Sequence, residues 1–214
     1  LWRGLKEGAR VVGAGRDFVE AGMYTLHAVC AGRNRAAVQA DRDELLARAQ
    51  HHGGLEIADT IPKAARAEPF APLNGILGAD GERWAALNAK IAHSDAPRLI
   101  DATDALTDGY RARMEACGVT MSFLYIAISN HVFSYEPVFR WHDAWLPVHR
   151  RTPEPEYLAK LEEPPANQGA RELVAEMRAA IVALFADFGA ASNQIGKTYP
   201  LLANMDPAAR DLLR

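Results

Sequence analysis

The chain has 214 residues, a formal net charge of -3, 49% hydrophobic residues and 24% charged ones. That is room for one generous domain or two small ones of ordinary globular composition. The Lys and Arg residues are scattered and leave no concentrated basic surface for phosphates, which excludes a nucleic-acid partner. No apolar run approaches the ~18 residues of a membrane span; Val119 to Ile128 is too short and carries Thr120 and Ser122. The sequence shows no signal-peptide pattern. Cys30 and Cys117 stand far apart without a Cys-x-x-Cys partner, which fits a reducing, cytoplasmic setting and rules out a disulfide-built scaffold.

The segment Leu1 to Arg10 reads as helical from its first residue. Tyr24, Leu26, Ala28 and Cys30 then alternate with Met23, Thr25, His27 and Val29, predicting a strand. Val38, Leu45 and Ala49 share one face of a helix over about Arg35 to Gln50, which His51-His52-Gly53-Gly54 ends with a glycine cap. A short strand is expected at Leu55 to Ile57. From Thr60 to Pro97 there is little periodicity and much Pro and Gly, the mark of a lid, an interface or a linker. Leu99, Leu106, Tyr110 and Met114 stripe a helix that Gly118 closes. Two strands follow, Val119 to Ile128 and about His131 to Phe139, with a tight turn at Ser129-Asn130. Pro137 cannot donate to a ladder, so the second strand is expected to be an edge, or to end, there.

A short helix is expected between Thr152-Pro153 and Pro164-Pro165. Leu173, Met177, Ile181, Leu184 and Phe188 give the cleanest helical stripe, stopped by Gly189. Ala190 to Pro200 has room for a last short strand. Asp206-Pro207 opens a final helix that stops at Leu212-Leu213-Arg214 without a cap, so both ends read as cut from a longer protein. The order implies an α+β fold: a ferredoxin-like, mostly antiparallel sheet with helices on one face and a long irregular insert.

No stand-alone catalytic signature occurs. Gly13-Ala14-Gly15 lacks the spacing and the preceding strand of a dinucleotide fingerprint. Polar and aromatic groups concentrate instead between Asn130 and His149, with His131, Tyr135, Glu136, Arg140, Trp141, His142, Asp143, Trp145 and His149. A sheet face carrying His, Tyr, Glu and Arg has donors and acceptors for a small polar ligand. Taken singly, the same residues read as packing aromatics and, at His142-Asp143, a solvated cap. Lys197 and Tyr199 form a second candidate, a cation for a carboxylate and a phenol for proton traffic. His51 and His52 are adjacent at a helix end and point apart, so no metal site is expected there.

Several short words of the sequence resemble the C-terminal cap domain of bacterial FAD-linked oxidases, in the vanillyl-alcohol oxidase and D-lactate dehydrogenase group. They are Ile61-Pro62-Lys63, Pro72-Leu73-Asn74, Leu77-Gly78, Gly81-Glu82-Arg83-Trp84, Glu136-Pro137-Val138-Phe139 with Trp141 and Asp143, and Gln194-Ile195-Gly196-Lys197-Thr198-Tyr199-Pro200. The opening Leu1-Trp2 with Lys6-Glu7 is similar to the helix that begins that cap.

The resemblance implies an oxidoreductase moving a hydride from an alcohol or 2-hydroxy acid carbon to FAD. An N-terminal domain outside this chain would hold most of the FAD. It further implies Asn193 and Gln194 as cofactor contacts and Lys6 as a clamp for a substrate carboxylate, beside Tyr135, Arg140, Lys197 and Tyr199, which the polar pattern itself offers as substrate contacts. His131 and Glu136 are the candidates for a base. Ser129 and Glu136 fall where relatives carry a metal-binding His pair, and Ser192 and Asn193 where they carry Glu-His, so no metal is implied. By itself this piece is expected to be inactive, and to expose an apolar surface favouring self-association. The competing reading is a non-catalytic ferredoxin-like module that binds a small ligand or dimerises.

Overall fold

The computed structural model describes residues 24–57, 59, 63, 66, 67, 70, 72–128, 130–192, 198, 205 and 207–212. It divides into two units, Leu1–Ala71 and Pro72–Arg214.

In the first unit the expected helix forms as α1, Arg35–His51. Asn34 caps it, its side chain accepting from the Ala37 amide at 2.9 Å, and Gly53 turns the chain out with φ of 78°. The strands expected at 24–30 and 55–57 do not form. Neither segment has regular structure, and Tyr24, Leu26, Val29 and Leu55 are exposed. Alternation alone cannot make a strand; a partner must take its amides, and no ladder reaches these segments among the described residues.

The second unit holds an antiparallel sheet and the helices that cover it, an α+β architecture. Its elements are β1 (Arg83–Ala86), β2 (Ala89–Ala92), α2 (Ala96–Asp108), α3 (Arg111–Cys117), β3 (Val119–Ile128), β4 (Val132–Trp141), α4 (Pro147–Arg151), α5 (Pro155–Leu158), α6 (Gln168–Asp187) and α7 (Pro207–Leu212). β4 is central. It pairs along its length with β3, and on its other side with β1 and β2. Ala191 bridges the outer side of β2 at Lys90, with amide-to-carbonyl distances of 2.7 and 3.0 Å. A ferredoxin-like sheet would have a full fourth strand there, where the described residues hold a single bridge.

Two expectations about the sheet are corrected. Pro137 lies within the central strand rather than at an edge. The sheet tolerates it because the residue opposite, Leu87, donates its amide to the Pro137 carbonyl at 2.9 Å and forgoes only the return bond. That missing bond explains why one edge strand reads as two. Ala86 faces Val138 and Ala89 faces Tyr135 in a single register, broken only beside the proline. The edge strand itself lies inside the stretch read as an irregular insert. Ala85, Leu87, Ala89 and Ile91 do alternate, but alanine makes a faint apolar signal.

Alternation then sorts the side chains. One face carries Leu87, Ala89, Ile91, Val119, Tyr135, Phe139 and Trp141 into a core completed by Leu99, Leu173, Met177 and Ile181. Phe123 stacks on Tyr135 at 5.9 Å, and Phe185 of α6 meets Tyr135 edge-on at 6.3 Å. The opposite, open face carries Trp84, Asn88, Lys90, Ser134, Glu136, Arg140, Leu124, Ile126 and Ile128. Ile181→Ala, at a side chain 0% exposed, is expected to cost about 2–5 kcal/mol in urea unfolding. Ile126→Thr on the open face should stay within about 0.5 kcal/mol. Equal costs would contradict this assignment of faces.

Candidate functional site

The frame of the site is built around Asp143, whose side chain is 0% exposed. Its carboxylate accepts from Arg83 Nη1 at 2.5 Å, from Arg171 Nε at 2.7 Å and Nη2 at 3.1 Å, and from the Asn167 amide at 2.8 Å. Trp141 Nε1 adds a longer contact at 3.4 Å. Asp143 thereby ties the start of β1, the end of β4 and the start of α6. Asn167 continues the tie, capping α6 at the Ala170 amide and donating Nδ2 to the Cys117 carbonyl at 3.0 Å. The solvated cap expected at His142-Asp143 is corrected: His142 is exposed and Asp143 is buried.

The turn before β1 is held as tightly. Gly81 has φ of 78°, and a Cβ there would stand 3.3 Å from Trp145 Cζ2 and 3.1 Å from the Glu162 carbonyl oxygen. Glu82 folds its carboxylate over Gly78, where a Cβ would fall 1.8 Å from Oε1, and accepts from Arg140 Nη1 at 3.2 Å. Trp145 Nε1 donates to the Gly81 carbonyl at 2.8 Å.

On the open face, Lys90 of β2, Asn88 just before that strand, and Ser134 and Glu136 of β4 come together. Lys90 Nζ donates to Asn88 Oδ1 at 2.7 Å and to Ser134 Oγ at 2.6 Å. Asn88 Nδ2 in turn donates to Glu136 Oε2 at 3.0 Å and to Ser134 Oγ at 3.2 Å. Register explains the grouping, since Lys90 sits directly opposite Ser134. Lys90's pKa is pulled below its ordinary value, first by burial and against the opposing charge of Glu136. Ser134 and Asn88 lie buried at the base of this network, at 0% and 3% exposure, and the ammonium of Lys90 and the carboxylate of Glu136 are the members that are partly exposed. A partly exposed ammonium beside a carboxylate can meet a small polar ligand.

The sequence candidates divide accordingly. Glu136 belongs to the network, and Arg140 lies on the same face, paired with Glu82. Tyr135 points the other way and is 0% exposed, so a substrate contact is corrected to a core residue. His131 stands exposed in the turn before β4, outside the hydrogen-bonded network. Lys6, Asn193, Gln194, Lys197 and Tyr199 lie outside the described residues. Lys90, Asn88 and Ser134 escaped sequence reading. The signal for them is a period-two polar pair, Asn88 and Lys90, alternating with Leu87, Ala89 and Ile91.

Among the described residues no helix is long and apolar enough to cross a membrane. Compared with known proteins, the chain matches no family model, no curated protein and no solved structure.

Stability should fall in two steps as pH drops. Burial first, then the charges of Arg83 and Arg150, hold the His149 pKa below its ordinary value. The unfolded state therefore takes up this proton first, and stability declines below about pH 6.5. Burial would raise the Asp143 pKa, but the hydrogen bonds from Arg171, Asn167 and Trp141 and the charge of Arg83 bring it below the usual carboxylate value. Its contribution is complete above the unfolded value of about 3.9 and is lost as pH falls through the folded one. D143N, which leaves two guanidiniums sharing a neutral amide, is expected to cost about 3–5 kcal/mol at neutral pH. It should also erase the lower step while keeping the upper one, as followed by urea midpoints between pH 3 and 8. An unchanged lower step would assign it to other carboxylates.

Proposed function

We propose that this chain is the substrate-side cap of an FAD-linked oxidoreductase acting on an alcohol or 2-hydroxy acid, paired with a domain that holds most of the FAD. The observation that carries the reading is the Lys90–Ser134–Asn88–Glu136 network on the open face of the sheet. The resemblance of the Gly81-Glu82-Arg83-Trp84 and Glu136-Pro137-Val138-Phe139 words to bacterial FAD-linked oxidases supports it. Bound FAD would supply the acceptor for a hydride.

This chain's own part is to bind, orient and deprotonate. Glu136 takes the substrate hydroxyl proton as the carbinol C–H leaves with its electron pair and the carbonyl forms. Asn88 orients that carboxylate through Nδ2. Lys90 faces the substrate carboxylate, and Ser134 and Asn88 fix its ammonium from below. The described open face offers no glycine-rich phosphate cradle, so its donor set fits the substrate side of a flavin and not the dinucleotide.

Anaerobic bleaching of the flavin in the protein carrying its FAD domain tests the reading. With a panel of D-2-hydroxy acids and phenolic alcohols, bleaching by one class is expected and would fix the reaction type. A protein that retains no flavin and responds to no member of the panel would instead be a non-catalytic ligand-binding or dimerisation module.

A further inference from the structure

The open face has an apolar side as well as a polar centre. Leu124, Ile126 and Ile128 of β3 are 48%, 42% and 43% exposed, and β3 carries no charged side chain along Val119–Ile128. Register sets this strip against the polar network row by row. Leu124 lies opposite Glu136, Ile126 opposite Ser134, and Ser134 opposite Lys90 in the next strand. Neighbouring strands lie ~4.8 Å apart, so Lys90 and Ile126 are ~10 Å apart across the sheet. That is the reach of a medium-length acyl or arylalkyl group.

An ammonium has three N–H donors. Those of Lys90 serve Asn88 and Ser134 at 2.7 and 2.6 Å, which leaves one for a ligand. Half-exposed aliphatic side chains in a contiguous row beside a cation match a molecule with a carboxylate at one end and hydrocarbon at the other.

We propose that this face binds amphipathic organic acids, with the carboxylate on Lys90 and an apolar body lying over Leu124, Ile126 and Ile128. The acid substrate is accordingly a medium-chain or aryl-bearing one in preference to a two- or three-carbon acid. This rests on the substrate-side reading of the open face and deepens it. Ile126 is a specificity residue here: it touches the substrate body and takes no part in proton transfer.

The test is calorimetric binding of dead-end acids that cannot be oxidised: butyrate, hexanoate and octanoate, with octanol as the uncharged control, to the 214-residue chain. Affinity is expected to rise about two- to threefold per added methylene, short of full burial of each group. Octanoate should bind at least about tenfold tighter than octanol, the effect of one charge-assisted contact. Lys90→Gln should remove the preference for the acid and keep the chain-length slope. Ile126→Ser should flatten the slope and keep the preference for the acid.

Equal binding of butyrate and octanoate would overturn the proposal, and so would an octanoate-to-octanol ratio unchanged in Lys90→Gln. The two readings also fail differently. Chain-length-dependent acid binding without flavin bleaching would sink the oxidoreductase reading alone. Bleaching by short and long acids with equal affinity would sink this one alone.

Discussion

A single buried carboxylate, that of Asp143, holds the second unit's frame in register. Two guanidiniums, an indole and a backbone amide converge on it from three elements distant in sequence. Such a group is costly to bury and costlier still to unpair. It therefore acts as an all-or-none fastening: β1, β4 and α6 meet in one arrangement or the carboxylate is stranded. With the end of β4 fixed to the start of β1, the pairing Arg83↔Trp141 follows, and with it the placement of Lys90 against Ser134 further along the same ladder.

From that fastening the sheet acquires two unlike faces. The helices α2, α3 and α6 cover one face, where Tyr135 is buried at the centre of an aromatic stack whose outer rings, Phe123 and Tyr125, are partly buried. The other face keeps a hydrogen-bonded polar centre beside an uncharged aliphatic strip. Pro137 sits between these roles. It interrupts the ladder on the β1–β2 side just where Asn88 and Glu136 come together, while the Leu87 amide keeps the strands joined.

Sequence legibility followed signal strength. α6 reads clearly because Leu173, Met177 and Ile181 repeat at helical spacing and are buried as expected. β3 matches its expected span, since ten uncharged residues bounded by Gly118 and the following turn admit little else. The edge strand was hidden by Ala85 and Ala89, which alternate correctly but weigh little. The segment near Tyr24 shows the reverse failure, a good alternating pattern that joins no ladder among the described residues. For the site, Glu136 was legible as a carboxylate on a strand, but Tyr135 was not separable from it by type, only by face. Lys90 and Asn88 carry no signal of their own once alanines conceal the strand that positions them. Asp143 looked like a loop cap because nothing in its neighbours reveals that Arg83 and Arg171 arrive from far along the chain.

Two carboxylates of the second unit stand in unlike surroundings: Asp143 is buried between two guanidiniums, and Glu136 is partly exposed beside Asn88, where we propose that it meets the substrate. The most direct measurement is the rate constant of flavin reduction in Glu136→Gln, made in the protein carrying its FAD domain, beside its thermal midpoint. Glutamine preserves an acceptor for Asn88 and removes the base. Reduction slowed by about 10²–10⁴, with a Tm within about 2 °C of the parent, is the expected result. Reduction at the parent rate would remove Glu136 from the chemistry and contradict the placement of the substrate on the open face.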